Sequence, residues 1–213
     1  MEQARFNMVE QQIRSWNVLD LQVLDLLHKV KREQFVPPAY QSMAFMDVEI
    51  PLGHGAAMWQ PKLEAHALQA LHLAPRDRVL EIGAGSGFLA ALMSCLCEHV
   101  TSVEIVPEIA AFAEKNLAAH HVTNVTVVHG DAAQGWPGQY DAIVLGGSVP
   151  VLPEAFQNSL NPGGRLFAIV GDAPAMHAQL ITCVSPGVFE RTTLFETVAP
   201  PLQNAPQPER FVF

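Results

Sequence analysis

Short apolar runs alternate with segments of helical periodicity from residue 78 onward. Residues 88–97 and 107–119 carry apolar positions at helical spacing. Five apolar runs read as strands, at 78–82, 100–104, 125–129, 142–145 and 166–170. Strands that alternate with helices need crossover connections, so the pattern predicts a doubly wound α/β fold with a mostly parallel sheet. Runs at 180–184 and 189–198, joined by Ser185-Pro186-Gly187, predict an antiparallel hairpin at the edge of that sheet.

The first 75 residues follow a different pattern, helical at first and then extended. A first helix is predicted from apolar residues at helical spacing, namely Phe6, Val9, Ile13 and Trp16. Asp20 can cap a second helix, residues 48–61 are extended, and Pro61 suits the first turn of a third helix. We predict one domain over 1–213, with a helical extension (1–75), an α/β core (76–200) and a proline-rich surface tail (201–213).

Charge and cysteine content narrow the class of protein. A formal net charge of −9 disfavours non-specific binding to nucleic acid or to an anionic membrane. The chain starts without an apolar signal core, and no apolar run approaches the roughly 18 residues of a spanning helix. Three cysteines, with Cys95 and Cys97 in an apolar segment, give neither a disulfide framework nor a metal-ligand set. We expect a cytoplasmic protein without a metal.

A glycine-rich turn directly follows the first predicted strand. Glu81 and Ile82 run into Gly83, Gly85 and Gly87, which are spaced Gly-x-Gly-x-Gly. Glycines there let the backbone turn sharply and lie close to a ligand. A dinucleotide fingerprint would place its third glycine at position 88, where Phe88 stands, so the spacing disfavours a nicotinamide dehydrogenase. An ordinary strand-to-helix turn remains the alternative.

Three carboxylates flank the strands that follow this turn. Glu104 closes the second strand, where a carboxylate can accept both ribose hydroxyls of an adenosine. Asp131 follows the third strand, where its side chain and the backbone N–H of Ala132 can contact an adenine edge. Asp141 opens the fourth strand. Open α/β sheets bind ligands at the carboxyl ends of their strands, whereas each carboxylate alone could equally cap a helix or face solvent in a turn.

Several motifs resemble those of known methyltransferases. Gly-x-Gly-x-Gly after Glu81, together with Leu-Asn-Pro-Gly-Gly-Arg-Leu at 160–166, resembles S-adenosylmethionine (SAM) dependent enzymes. The motifs Val-Glu-Gln-Gln-Ile-Arg at 9–14, Arg-Glu-x-Phe-Val-Pro at 32–37 and Pro-Leu-Gly-x-Gly at 51–55 resemble the protein-L-isoaspartate O-methyltransferases. The resemblance covers most of residues 5–172, and more loosely Val198-x-x-Pro201-Leu202.

The resemblance implies a class I methyltransferase fold, SAM as cofactor, a SAM-binding core at 76–200 and a substrate-side extension at 1–75. It implies methylation of the α-carboxylate of isoaspartyl residues in damaged proteins, as a step of repair. The implied cofactor contacts are Ala57, Met58, Trp59, Gln60, Glu81, Gly83, Gly85, Gly87, Glu104, Asp131 and Ala132.

The chain departs from the family in the loop that should face the acceptor. Family members read Gly-Gln-Thr-Ile-Ser-x-Pro, whereas this chain reads Gly-Ala-Ala-Met-Trp-Gln-Pro at 55–61. Ala57 and Trp59 therefore replace a threonine and a serine. Ser148 could supply a replacement hydroxyl, or could simply belong to a turn, and His54 is a second candidate for substrate contact. Trp59 leaves open two alternatives, a different acceptor in a reshaped pocket and a SAM-binding protein with little transferase activity.

Overall fold

The computed structural model describes residues 1–208, and its N-terminal part is helical. An α-helix, α1 (Glu2–Asn7), continues into a π-helical turn (Met8–Ile13) and a 3₁₀ turn (Arg14–Trp16), and α2 (Leu21–Lys29) follows. Asp20 caps α2 as predicted, because its Oδ1 accepts from the N–H of Gln22 at 2.8 Å. The predicted face of the first helix is partly wrong. Phe6 and Trp16 are exposed, since the wider π-helical turn rotates the apolar stripe away from 3.6-residue spacing.

A compact connection links these helices to the sheet. It consists of two 3₁₀ segments (Arg32–Gln34 and Pro38–Met43), a small hairpin of β1 (Ile50–Gly53) and β2 (Ala56–Met58), and α3 (Pro61–Leu71). Pro61 stands in the first turn of α3, as predicted. No helix within residues 1–208 is both long enough and apolar enough to cross a membrane.

The α/β core contains seven strands in one sheet, with the order β5-β4-β3-β6-β7-β8-β9. The strands are β3 (Arg78–Ile82), β4 (His99–Glu104), β5 (Val125–His129), β6 (Tyr140–Val149), β7 (Leu160–Val170), β8 (His177–Ser185) and β9 (Val188–Glu196). The helices are α4 (Phe88–Ser94), α5 (Pro107–Ala119) and α6 (Glu154–Asn158). The five strands β3–β7 form the parallel part of the sheet, whereas β8 pairs antiparallel with β7 and β9 pairs antiparallel with β8. The predicted fold class is confirmed.

Several strands are longer than predicted, β6 and β7 most of all, and the short helix α6 was not predicted. β6 continues past Leu145 to Val149, because it pairs there with the end of β7 and also with the C-terminal segment. The N–H of Ser148 donates to the carbonyl of Pro200 at 2.8 Å, and the N–H of Leu202 donates to the carbonyl of Ser148 at 2.9 Å. The tail is irregular, as expected, but through residue 205 it packs against the core, since Ala205 is buried. Residues 209–213 lie outside the described part of the chain.

Arg32 connects the N-terminal region to the core from a fully buried position. Its Nε donates to the carbonyl of Ala44 at 3.0 Å, and its Nη2 donates to the carbonyl of Trp59 at 2.7 Å. Its Nη1 forms an ion pair with Glu64 of α3, and the guanidinium lies 5.2 Å from the centre of the Phe88 ring. A buried charge is tolerated only when it is paired and hydrogen-bonded. Arg32 meets that condition by fixing three segments at once.

We expect Arg32→Leu to lower the free energy of unfolding by roughly 3–5 kcal/mol, because Glu64 and the Trp59 carbonyl would lose their buried partner. Urea denaturation measures the change. Arg14→Leu is the matched control, since Arg14 pairs with Glu10 on the exposed surface of the N-terminal helix and should change stability little. Equal losses in the two variants would contradict the importance given to Arg32.

Candidate active site

A cleft opens where the strand order reverses, between β3 and β6. The carboxyl ends of β3, β4, β5 and β6 meet at its floor, which is where open α/β sheets bind ligands. Its empty volume, counted to the open mouth and including solvent there, is about 720 Å³. Its walls are Gly55–Ala57 and Trp59, the glycine loop, residues 103–105 and 130–133, Gly146 and Gly147, and the segment 200–203.

Two glycines explain how the backbone can line this cleft so closely. Gly85 has a φ of +54°, and its N–H donates to Glu104 at 3.1 Å. A Cβ at Gly146 would lie 2.7 Å from the carbonyl oxygen of Ile82, so only glycine fits at the point where β6 passes the end of β3. Gly83 also lines the cleft. Gly87 does not, because it begins α4 and faces Ala113 and Leu117 of α5, so its position gives no support to the predicted cofactor contact.

Glu104 is buried at the floor with its carboxylate fixed. One oxygen accepts from the N–H of Gly85 at 3.1 Å, and the other accepts from the N–H of Val106 at 3.1 Å. A carboxylate has about four acceptor sites, so further acceptor capacity remains beside the cleft. Glu104 therefore ties the glycine loop to the end of β4 and presents negative charge to a ligand.

Asp131 lies at the exposed rim and holds the C-terminal segment. Its Oδ1 accepts from the N–H of Ala133 at 3.0 Å, and its Oδ2 accepts from the side-chain amide of Asn204 at 2.8 Å. These two hydrogen bonds lower the pKa of Asp131. Ala132, which follows it, lines the cleft. The third predicted carboxylate, Asp141, is wrong as a ligand: its oxygens accept from Arg78 N–H and Asn161 Nδ2 at the opposite end of the sheet.

A small recess behind the cleft contains two buried glutamates. Glu81, at the end of β3, accepts a hydrogen bond from the hydroxyl of Ser102. Its pKa is raised to about 8, mainly by burial and to a smaller extent by the nearby carboxylates of Glu104 and Glu64. Burial also raises the pKa of Glu64, to about 7, against the opposing effect of Arg32. Both glutamates line the recess together with Met58 and Trp59.

Trp59 forms a wall of the cleft rather than filling it. Its side chain is 5% exposed, and the indole lies edge-on to Phe167 of β7 with ring centres 6.2 Å apart. The carbonyl is held by Arg32, and the indole Nε1 has no hydrogen-bond partner among residues 1–208. Gln60, the next residue, leaves the cleft and lines a separate groove. The loop thus presents Ala57 and Trp59 to the cleft without a hydroxyl.

The two predicted substrate-side residues outside the loop have other contacts. His54 sits in the β1–β2 turn with a φ of +52°, and its carbonyl accepts from Gln203 at 3.2 Å. Ser148 is buried, and its hydroxyl donates to the carbonyl of Ala199 at 2.9 Å. Both therefore hold the C-terminal segment, and their contact with a substrate stays a prediction. Within residues 1–208, no three metal-ligating side chains cluster together.

Sequence reasoning missed most of the segment that covers the cleft. Pro200, Pro201, Leu202 and Gln203 line it, and Asn204 and Gln203 fasten it to Asp131 and to the β1–β2 turn. The one available signal was the loose resemblance of Val198-x-x-Pro201-Leu202 to the end of the methyltransferase sequences. Without that resemblance, a stretch rich in proline reads as an ordinary surface loop.

Comparison with known proteins identifies the family. The family model described as protein-L-isoaspartate(D-aspartate) O-methyltransferase matches residues 3–200. The chain belongs to this family. A protein-L-isoaspartate O-methyltransferase of Methanoculleus marisnigri is 43% identical over 78% of this chain and 77% of its own length. One of Gloeobacter violaceus is 36% identical over 94% of this chain and 99% of its own.

Solved structures agree with the family fold. A solved protein-L-isoaspartate O-methyltransferase superposes with a TM-score of 0.81 at 26% identity, over 94% of this chain and 66% of its own. A Plasmodium falciparum protein, solved with S-adenosyl-L-homocysteine, superposes with a TM-score of 0.80 at 22% identity, over 92% and 97% of the two chains. The second likeness supports the fold alone.

The stability of this chain should depend on pH through the buried carboxyl group of Glu81. Because its pKa rises from 4.5 to about 8 on folding, the folded chain keeps a proton there that the unfolded chain loses above about pH 4.5. Its contribution to stability is present at low pH and is lost as the pH rises through 8. Glu81→Gln cannot titrate, so the free energy of unfolding measured with urea between pH 5 and 8.5 should fall less in this variant, by a difference on the order of a few kcal/mol. Parallel profiles for the two proteins would contradict the raised pKa.

Proposed function

We propose that this chain is a SAM-dependent carboxyl methyltransferase that acts on the α-carboxylate of isoaspartyl residues in damaged proteins. The observation that carries the proposal is the cleft at the switch point, with Glu104 and Asp131 beside it, in a chain that matches the isoaspartyl methyltransferase family over residues 3–200. The fold agrees with the family match.

The chemistry of the cleft fits SAM. Glu104 has free acceptor capacity for the two ribose hydroxyls, and Asp131 with Ala132 lies where an adenine edge would be contacted. Glu81, in the recess beyond Gly83, offers carboxyl oxygens to the α-ammonium group of the amino-acid end. Ala57 and Trp59 close the cleft from the other side. Gly83 and Gly85 allow close approach of the ligand, whereas the positions of Gln60 and Gly87 support no cofactor contact.

The reaction needs little acid–base chemistry from the protein. SAM supplies an electrophilic methyl group on a sulfonium. A carboxylate acceptor is already ionised at pH 7, so no general base is required. The chain contributes by orienting the acceptor and by excluding water. The loop 55–59 and the segment 200–203 serve this purpose because they form two walls of the cleft.

The missing hydroxyls change the expected rate rather than the reaction. Ala57 and Trp59 cannot donate side-chain hydroxyls to the acceptor. A hydrogen bond to a charged group contributes about 1.5–3 kcal/mol, so the loss of one slows transfer by roughly 10- to 150-fold. The indole lies against Phe167 in the core and forms a wall of the cleft without filling it. Its position therefore gives little support to either alternative, a different acceptor or an inactive SAM-binding protein. Three free cysteines fit a reducing compartment, and we propose a cytoplasmic repair role.

We expect methyl transfer from labelled SAM to an isoaspartyl peptide and none to the same peptide with a normal aspartyl residue. The two peptides differ only in which carboxylate is displayed, so the comparison isolates recognition of the isoaspartyl group. Methyl incorporation in paired reactions measures it. If the protein binds SAM but methylates neither peptide, the proposed acceptor is wrong and the proposed cofactor stands.

Glu104→Ala should weaken SAM binding by more than tenfold, because it removes the ribose acceptor and frees the N–H of Gly85. Isothermal calorimetry measures the affinity. Glu108→Ala is the matched control, since Glu108 is an exposed glutamate in the first turn of α5 and should leave affinity unchanged. Unchanged affinity in Glu104→Ala would exclude the proposed ribose site.

A further inference from the structure

A second groove lies on the α3 side of the sheet, outside the cleft. Its floor is Leu194 and Phe195 of β9, one wall is α3 with Leu63 and His66, and Trp16 overhangs it. Its empty volume, about 1440 Å³, is twice the 720 Å³ of the cleft.

The overhanging Trp16 is exposed but held in place. Its side chain is 55% exposed, yet Lys62 Nζ lies 4.5 Å from the centre of its ring and is itself paired with Asp47 at 2.8 Å. Gln69 fixes the turn that follows. Its Oε1 accepts from the N–H of Leu19 at 2.7 Å, and its Nε2 donates to the carbonyl of Asn17 at 3.0 Å. Exposed, preorganised tryptophans are typical of protein-binding surfaces.

A bulge in β9 gives the floor its apolar character. The pairing with β8 shifts between Ala178 and Gln179, so that Leu194 has no direct partner. Leu194 and Phe195 consequently both pack toward the α3 side of the core, where strict alternation would send one of them to the other face. β9 ends the strand order, and its outer side has no partner strand among residues 1–208. An extended polypeptide could lie along such an edge.

The groove and the cleft are adjacent, since two separate segments line both. Trp59 lines the cleft, and the next residue, Gln60, lines the groove. Val198 lines the groove, and Pro200, two residues later, lines the cleft. A polypeptide that presents one residue to the cleft would therefore have its neighbouring residues at the end of the groove.

We propose that the groove binds the extended polypeptide that flanks the isoaspartyl residue of the substrate protein. This inference rests on the proposed function, because the acceptor residue is assigned to the cleft. The groove continues into the cleft, and a substrate chain must place its acceptor residue in the cleft. A second copy of this protein has no such requirement, so the continuity favours a substrate chain.

The test compares peptides of two lengths that share one isoaspartyl core. One has about four residues, and the other is extended by about five residues on one side, which adds roughly 17 Å of extended chain. The extension is placed before the core in one peptide and after it in another. We expect kcat/KM for one of the two long peptides to exceed that of the short peptide by roughly tenfold. Val198→Asp should remove that gain and leave the short peptide unaffected.

Val188→Asp is the matched control. Val188 is 54% exposed and Val198 is 51% exposed, and Val188 lies at the far end of β9, outside the groove. Val188→Asp should keep the length dependence. Trp16→Ala, a second exposed position in the groove, should reduce it independently. Equal rates for all peptide lengths in the unmodified protein, or equal effects of Val188→Asp and Val198→Asp, would overturn the proposal.

A binding measurement separates this proposal from the proposed reaction. Calorimetry with protein saturated by S-adenosylhomocysteine should show tighter binding of the long isoaspartyl peptide, and Val198→Asp should abolish the difference. If no peptide is methylated but this difference persists, the groove stands and the reaction fails. A dimer in sedimentation that Val198→Asp dissolves, with no effect of peptide length on binding, would assign the groove to a second copy instead.

Discussion

The buried guanidinium of Arg32 sets the position of the loop on which the candidate active site depends. Its ion pair with Glu64 and its bonds to the Ala44 and Trp59 carbonyls join the N-terminal region, α3 and the loop in one arrangement. A cation without contact to water must have its donors satisfied, and a displaced loop would leave the Nη2 donor without a partner. The geometry of the cleft is thus enforced from behind, by a residue that does not line it.

Three carboxyl groups are buried behind the same loop. Glu64, Glu81 and Glu104 are all buried, and Arg32 is paired with only the first of them. Burial is the main cause of the raised pKa values of Glu81 and Glu64, and Glu81 therefore keeps its proton at neutral pH. No lysine or arginine among residues 1–208 lines the cleft or the recess, so an anionic ligand would meet Glu104 and Asp131 without a neutralising cation. The charges therefore favour a sulfonium cofactor over a phosphate-bearing one, in agreement with the spacing of the glycines.

Much of the fold follows from local sequence patterns, whereas side-chain directions do not. Alternating apolar runs predict the sheet because each run is one buried strand. Glu104 can be located from the sequence because it is the residue at which the second of these runs ends. The local sequence gives no sign that Arg32 is buried, because its partner Glu64 lies 32 positions later in the chain. The indole of Trp59 reads as an obstruction until Phe167 provides a place for it. Such contacts join residues distant in sequence, so periodicity carries no trace of them. The π-helical turn that exposes Trp16 is likewise invisible to a search at 3.6-residue spacing.

The C-terminal segment, residues 199–204, affects the order in which the walls of the cleft form during synthesis. Asn204 bonds to Asp131 across 73 positions, and Gln203 bonds to the carbonyl of His54 across 149. The ribosome delivers these residues after every other wall of the cleft. Because a chain folds progressively as it is made, the glycine loop and the parallel strands can form while the cleft still lacks its last wall. The enzyme's binding site is therefore completed by the last part of its described chain to be translated.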